Sequence, residues 1–116
     1  MEVLLVEDSP EVSLITVEYL TELGHQVVAV PDAELAVEQV ARKTFDAVMT
    51  DVSLPGMSGI DLARNILALK PRLPIIIASG YALDFGLENW GSNVRAIIKP
   101  FEAPEIEALI SDLVPS

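Results

Sequence analysis

The chain has 116 residues, 51% of them hydrophobic, which suits a single domain with its own core. The absence of cysteine excludes disulfides and thiolate zinc sites. The net charge is −11, from 18 acidic and 7 basic residues, so we do not expect direct nucleic-acid binding. No apolar run approaches the roughly 18 residues of a membrane span, and Met1–Val6 lacks the basic region of a secretion signal. We therefore expect one cytoplasmic domain over residues 1–116, with no membrane partner.

Five short apolar segments predict buried β-strands. In chain order they are Glu2–Val6, Gln26–Val30, Ala47–Asp51, Pro74–Ser79 and Val94–Ile98. The segment Pro74–Ser79 is the most apolar of the five, so we expect it to be covered on both faces of the sheet.

Capping residues and helical spacing predict the helices between these strands. Ser9–Pro10, Asp32, Ser58 and Pro104 mark four helix starts. The core-facing stripe of the first helix is assigned to Val12, Ile15, Tyr19 and Leu23. His25, in the turn after that helix, is interpreted as an exposed loop residue.

The segment Tyr81–Gly91 is the weakest predicted element. Gly86 and Gly91 interrupt it, which predicts only a short or frayed helix. With this segment counted, five strands alternate with five helices. Such alternation predicts an α/β fold, with a parallel sheet, right-handed crossovers and helices on both faces.

Polar side chains stand where four of the predicted strands end. Glu7 and Asp8 follow the first strand, Asp51 ends the third, Ser79 ends the fourth and Lys99 follows the fifth. The carboxyl ends of parallel strands meet at one edge of a sheet, where open α/β proteins build their sites. We therefore expect these side chains to converge on Asp51.

The three acids of this set, Glu7, Asp8 and Asp51, should repel one another. Two unit charges about 5 Å apart repel by about 3 kcal/mol at an effective dielectric near 20. A divalent cation would relieve that repulsion, and hard oxygen ligands suit magnesium. The sequence therefore predicts a Mg²⁺ site.

Each member of the set also has a purely structural interpretation. Glu7 and Asp8 could simply favour the start of a helix, where negative charge is stabilised. Asp51 could be a solvated loop acid, Ser79 a helix cap and Lys99 a surface lysine. All of these interpretations would have to hold together for the predicted site to be absent.

The sequence resembles the receiver domain of two-component response regulators, whose familiar single-domain member is the chemotaxis response regulator. The resemblance covers essentially the whole chain. It is carried by Glu7–Asp8, the DxxLPGMSG stretch from Asp51 to Gly59, Ser79 after an apolar strand, and Lys99–Pro100–Phe101. It implies a flavodoxin-like (βα)5 doubly wound fold, with five parallel strands in the order 2-1-3-4-5.

The resemblance also implies a phosphoacceptor and its partners. Asp51 would take a phosphoryl group from a phosphohistidine of a sensor histidine kinase or a histidine phosphotransfer protein. Lys99 would stabilise the phosphoryl oxygens and Ser79 would hydrogen-bond one of them, while the Lys99–Pro100 peptide bond would be cis. Such a domain catalyses only its own phosphorylation and dephosphorylation, so we do not expect an enzyme acting on other substrates.

A magnesium ligand set follows from the same resemblance. Asp8 and Asp51 would bind Mg²⁺ directly, Glu7 would bind it through water, and the backbone carbonyl of Ser53 would complete the protein ligands.

The signal would leave through the surface formed by the segment 81–91, the fifth strand and the last helix. A downstream protein partner is expected there, because the chain ends without an output domain.

One position departs from the family pattern. The family carries Tyr or Phe three residues before the lysine, as a switch residue, and here that position is Ala96. The stretch Ser79–Gly80–Tyr81 resembles the (S/T)GY variant of the family, so we hypothesise that Tyr81 takes over as reporter. A fixed packing role for Tyr81 is the alternative.

Three other functions compete with that of a phosphorylated receiver. A dehalogenase-like phosphatase would need a second Asp two residues after the nucleophile, where Ser53 stands. A flavin carrier would need a phosphate loop after the first strand, where Glu7 and Asp8 are electrostatically wrong for FMN. A degenerate receiver that serves only as a protein docking module is the third alternative, and it remains open.

Overall fold

A computed structural model of the chain describes residues 1–80 and 93–113. The strands are β1 (Glu2–Val6), β2 (Gln26–Val30), β3 (Ala47–Asp51), β4 (Ile75–Ser79) and β5 (Val94–Ile98). The helices within the described ranges are α1 (Pro10–Glu22), α2 (Ala33–Arg42), α3 (Gly59–Leu69) and α4 (Ala103–Leu113). The helix predicted over Tyr81–Gly91 lies outside these ranges. None of the four helices has the length and apolar character required to cross a bilayer.

The five strands form one parallel sheet in the order β2-β1-β3-β4-β5, as predicted. This order places β3 in the middle of the sheet, between β1 and β4. Val6 pairs with Thr50, and Asp51 pairs with Ala78, so the strands end almost level with one another. The polar residues at those ends are therefore brought to one edge.

Helices cover both faces of the sheet, and alternate strand residues point to one face or the other. On one face Leu4, Val48 and Ile75 pack with residues of α2 and α3. On the other face Val3, Met49 and Ile76 pack with residues of α1 and α4. All five residues of β4 are buried, as the apolar run predicted.

Three of the four predicted helix starts carry side-chain caps. Ser9 Oγ accepts a hydrogen bond from the Val12 N–H, Asp32 Oδ1 from the Leu35 N–H, and Ser58 Oγ from the Asp61 N–H. Each cap satisfies a helical N–H that has no intrahelical partner. Such caps fix where α1, α2 and α3 leave the edge that carries the acidic residues.

Two predictions about the first helix and its turn were wrong. The fully buried residues of α1 are Thr16 and Leu20, whereas Ile15, assigned to the buried stripe, is 48% exposed. Apolar residues surround most of this helix, so no unique stripe could be read from their spacing. His25 is half-buried and not exposed. Its backbone N–H donates a hydrogen bond to the Leu20 carbonyl at 3.0 Å, which holds the residue against the end of α1.

Candidate metal centre

Three carboxylates meet at the carboxyl edge of the sheet. Glu7 and Asp8 follow β1, Asp51 ends β3, and one oxygen from each lies within 4.8 Å of the other two. Their surroundings differ, because Glu7 is buried, Asp51 is half-buried and Asp8 is exposed. The prediction that these three acids cluster is confirmed.

Lys99 adds one positive charge to the cluster. Its Nζ lies 3.0 Å from Glu7 Oε1 and 3.2 Å from Asp51 Oδ1, and its side chain is 25% exposed. The position is fixed through the backbone, since the Lys99 N–H donates to the Ser79 carbonyl at 2.7 Å. The Lys99–Pro100 peptide bond is cis. Lys99 is therefore an internal partner of the acids and not a surface lysine.

The pKa values of Glu7 and Lys99 are both raised, for different reasons. Burial raises the pKa of the Glu7 carboxyl, and the Asp51 charge adds to the rise against the hydrogen bonds from Lys99 and the Ser9 N–H. Burial alone would lower the pKa of Lys99, but the hydrogen bonds and charges of Glu7 and Asp51 outweigh it, and the pKa is raised. Lys99 therefore remains a cation at neutral pH.

The backbone after β3 approaches the start of α3 very closely. A Cβ atom added at Gly59 would collide with the Asp51 carbonyl and with Val52 Cα. The Gly59 N–H donates to the Val52 carbonyl at 2.8 Å, and Thr50 Oγ1 donates to the Asp51 carbonyl at 2.9 Å. Glycine is therefore required at position 59 for the loop that carries the central carboxylate. The motif in the sequence contained Gly59 but gave no sign of this contact.

The remaining predicted site residues lie around this centre. Ser79 is buried at the end of β4 and pairs with Ile98 of β5, while Ser53 is exposed in the loop after β3. Ala96 is exposed on β5 beside Ile77. It occupies the position at which the family usually carries its aromatic switch residue. Tyr81 lies outside the described residues.

The donor set fits a hard divalent cation. The three clustered side chains, Glu7, Asp8 and Asp51, offer only carboxylate oxygens, which are the ligands that Mg²⁺ and Ca²⁺ prefer. Against their three negative charges Lys99 supplies one positive charge, so the site is electrostatically incomplete without a further cation. The exposure of Asp8 leaves a face of the cluster open to solvent. The arrangement can place a cation next to the half-buried carboxylate of Asp51.

Comparisons with known proteins agree with this geometry. A family model for the response regulator receiver domain matches residues 3–111. The two-component response regulator PhoP of Pseudomonas aeruginosa is 34% identical over 98% of this chain and 52% of PhoP. The sensor protein TorS of Escherichia coli K12 is 35% identical over 90% of this chain and 12% of TorS. The chain thus spans about half of the first of these relatives and a small part of the second.

Two solved structures resemble the whole of this chain. The receiver domain of a sensor histidine kinase from Pseudomonas aeruginosa, with a magnesium ion coordinated in its active site cleft, is 32% identical, with a TM-score of 0.88 over 99% of this chain and 98% of its own. The response regulator TrrA from Thermotoga maritima, in complex with Mg²⁺–BeF, is 25% identical, with a TM-score of 0.88 over 97% and 98%. Sequence, sheet order and the acidic edge agree, and the chain belongs to the response regulator receiver domain family.

Proposed function

We propose that residues 1–116 form a phosphoacceptor receiver domain of a two-component phosphorelay. In this proposal Asp51 takes a phosphoryl group from a phosphohistidine of a sensor histidine kinase or a histidine phosphotransfer protein. The observation that carries it is the convergence of Asp51 with Glu7, Asp8 and Lys99 at one edge of the sheet. Membership of the receiver family supports the same function.

Asp51 is proposed as the nucleophile. It ends the central strand, and its carboxylate is half-buried. Thr50 Oγ1 donates a hydrogen bond to its backbone carbonyl, and Gly59 packs closely against the same carbonyl. One Oδ forms a bond to phosphorus as the phosphorus–nitrogen bond to the donor histidine breaks, and the electron pair leaves with the imidazole. The product is an aspartyl phosphate, the kind of acyl intermediate that carboxylates form. Hydrolysis of that bond returns Asp51 to its starting state.

Magnesium is the cation that fits this chemistry. One similar receiver domain holds a magnesium ion in its active site cleft, and the similar response regulator TrrA forms a complex with Mg²⁺–BeF. Asp8 and Asp51 would hold it directly, Glu7 through water, and the Ser53 carbonyl would add a further oxygen ligand. Bound there, the ion would compensate charge on the transferring phosphoryl oxygens. Burial raises the pKa of Glu7, so a nearby cation would stabilise the charged form of this carboxylate.

Lys99 and Ser79 are proposed to hold the phosphoryl oxygens from the protein side. Lys99 Nζ already touches Asp51 Oδ1 and is shared with Glu7, so it can shift toward a phosphoryl oxygen without leaving the site. Pre-placed cations and donors of this kind supply most of what phosphoryl transfer needs. Ser79 is buried at the end of the adjacent strand, where its hydroxyl would donate a hydrogen bond to one phosphoryl oxygen after the transfer.

The output is proposed to leave through the segment 81–91, β5 and α4, toward a downstream protein partner. Phosphorylation would shift a two-state equilibrium of this surface, and such couplings amount to about 1–3 kcal/mol. With Ala96 in place of the aromatic switch, Tyr81 is proposed as the reporter of the modification. The domain would act in the cytoplasm, catalyse only its own phosphorylation and dephosphorylation, and bind no nucleic acid.

Intact-mass spectrometry after incubation with acetyl phosphate and Mg²⁺ tests the proposal. The wild type should gain the mass of one phosphoryl group, and Asp51→Asn should gain none. Asp61→Asn is the matched control, because Asp61 is an exposed acid at the start of α3, and it should be modified like the wild type. EDTA should abolish the reaction. A wild type that stays unmodified by acetyl phosphate and by a phosphorylated histidine donor would favour the docking module instead.

A further inference from the structure

A groove of about 610 Å³ opens at the amino edge of the sheet. It lies between the residues that lead into β3, the turn from α3 to β4, and the end of α4. Asp51 stands at the other end of β3. A strand of five residues is roughly 16 Å long, so the groove is remote from the acidic cluster.

The floor of the groove is apolar. Phe45, Leu73 and Leu113 form it, and each is buried by its neighbours while still reaching the groove surface. Leu69, in the last turn of α3, stands at the rim and is 50% exposed. The groove therefore offers contact area for an apolar side chain.

The rim of the groove carries two cations, Lys70 and Arg72. Both are exposed, and neither forms an ion pair within residues 1–80 and 93–113. The nearby Lys43 differs, since its Nζ is held by Glu2 at 3.0 Å and lies 5.5 Å from the centre of the Phe45 ring. The chain has 7 basic residues and a net charge of −11. Two of the 7 thus flank one apolar groove without an ion-pair partner among the described residues.

One acidic residue, Asp46, also lines the groove. Its Oδ2 accepts a hydrogen bond from the Glu2 N–H at 2.7 Å, so it has a structural partner already. The lining then carries two positive charges and one negative charge, on a molecule that is otherwise strongly acidic. An anionic ligand would be repelled by most of the surface and would find its favourable potential here.

We propose that this groove binds an acidic peptide segment of a partner protein, with one apolar side chain of the segment entering between Phe45 and Leu73. Carboxylates of the segment pair with Lys70 and Arg72 at the rim. Residues 70–74, in the turn from α3 to β4, line the groove over a continuous stretch, which suits an extended chain that lies along it. Because the groove lies at the edge opposite Asp51, the segment binds whether or not Asp51 is phosphorylated.

Titration of the ¹⁵N-labelled protein with the peptide acetyl-EELFEE-amide tests this inference by NMR. Amide shifts should spare Glu7, Asp8 and Asp51. They should concentrate on the groove residues that have an amide proton, which are Phe45, Asp46, Leu69, Lys70, Arg72, Leu73 and Leu113. The peptide acetyl-EEGGEE-amide lacks the apolar anchor and should bind at least about tenfold more weakly. Equal binding of both peptides, or no localised shifts at millimolar peptide, would overturn the proposal.

Charge reversal at the rim gives a second readout. The double variant Lys70→Glu/Arg72→Glu should lose at least about tenfold in peptide affinity, since two attractive pairs become repulsive. Arg64→Glu is the matched control, because Arg64 is an exposed cation of α3 outside the groove lining, and it should bind like the wild type. A double variant that binds as tightly as the wild type would contradict the proposal. Asp51→Asn should also bind normally, so failure here is separable from failure of the phosphoacceptor proposal.

Discussion

Lys99 Nζ lies 3.0 Å from Glu7 Oε1, although the two residues are 92 positions apart in the chain. The pair links the ends of β5 and β1, which are separated by β3 and β4 in the sheet. Lys99 reaches across the site and contacts Asp51 Oδ1 on the way. One cation, Lys99, is thus shared by a buried acid and by the proposed nucleophile.

The first prediction concerns removal of this cation. Lys99→Met should slow phosphorylation from acetyl phosphate by about a hundredfold, because a pre-placed positive charge for the phosphoryl oxygens is lost. The same change should tighten Mg²⁺ binding, since one repulsive charge leaves the site. It should also lower the free energy of unfolding in EDTA by about 1–2 kcal/mol, because buried Glu7 loses its partner. Intact-mass kinetics, calorimetric Mg²⁺ titration and urea unfolding measure these effects.

Lys70→Met is the control for that variant, since it removes an exposed lysine at the opposite edge of the sheet. It should leave the phosphorylation rate and Mg²⁺ affinity unchanged. A Lys99→Met protein that is phosphorylated at the wild-type rate would remove Lys99 from the proposed mechanism.

The second prediction concerns the loop that carries Asp51. Gly59→Ala places a Cβ against the Asp51 carbonyl and Val52 Cα, and neither backbone group can turn aside. We expect a loss of about 1–3 kcal/mol in the free energy of unfolding, the usual range for overpacking. Gly80→Ala is the matched control, since nothing lies within 4 Å of an added Cβ there. Urea unfolding of both variants checks the prediction, and equal stabilities would show that the loop can relax.

The strands were predictable because burial on both faces leaves a continuous apolar run. Glu2–Val6, Gln26–Val30 and Val94–Ile98 begin and end where the sequence placed them, and only Pro74 was wrongly included in β4. The acidic cluster followed from the same pattern, because parallel strands bring their carboxyl ends together. These are properties of local sequence and of sheet topology, which a single sequence records.

Contacts between distant elements were less predictable. The buried side of α1 was misassigned, since apolar residues occur on most of its faces and only the packing partners decide which side is covered. The clash that reserves position 59 for glycine depends on where α3 starts relative to β3. The sharing of Lys99 between Glu7 and Asp51 depends on side-chain reach across two strands. None of these distances has a signature in residue spacing.

The third prediction concerns the proposed reporter, Tyr81. Tyr81→Ala should leave phosphorylation of Asp51 intact but abolish the response of the segment 81–91 to beryllofluoride, as followed by amide shifts. The companion variant Ala96→Tyr places an aromatic side chain at the position where the family carries its switch residue. Because Ala96 is exposed on β5, the larger side chain should change the free energy of unfolding by less than about 0.5 kcal/mol. A wild-type response in Tyr81→Ala would assign Tyr81 to packing.

The last prediction concerns His25, the single histidine of the chain. Burial lowers the pKa of His25, the nearby N-terminal amine lowers it further, and Glu107 and Asp46 oppose the shift. Its Nδ1 is buried and has no hydrogen-bond partner among the described residues, so the charged ring is poorly solvated there. The ring signals in an NMR pH titration should therefore report a midpoint below the ordinary value of about 6.5.

The effect of His25 on stability follows from the same shift. Between the folded and unfolded pKa values the unfolded chain binds the extra proton, so the free energy of unfolding should fall as pH falls from about 6.5 through the folded pKa. His25→Gln should remove that component, and the difference between the two proteins cancels the carboxylates that titrate nearby. Urea unfolding at several pH values between about 5 and 7.5 measures it. A ring midpoint at or above 6.5, or identical pH profiles for the two proteins, would contradict this account, because a freely solvated ring gives both results.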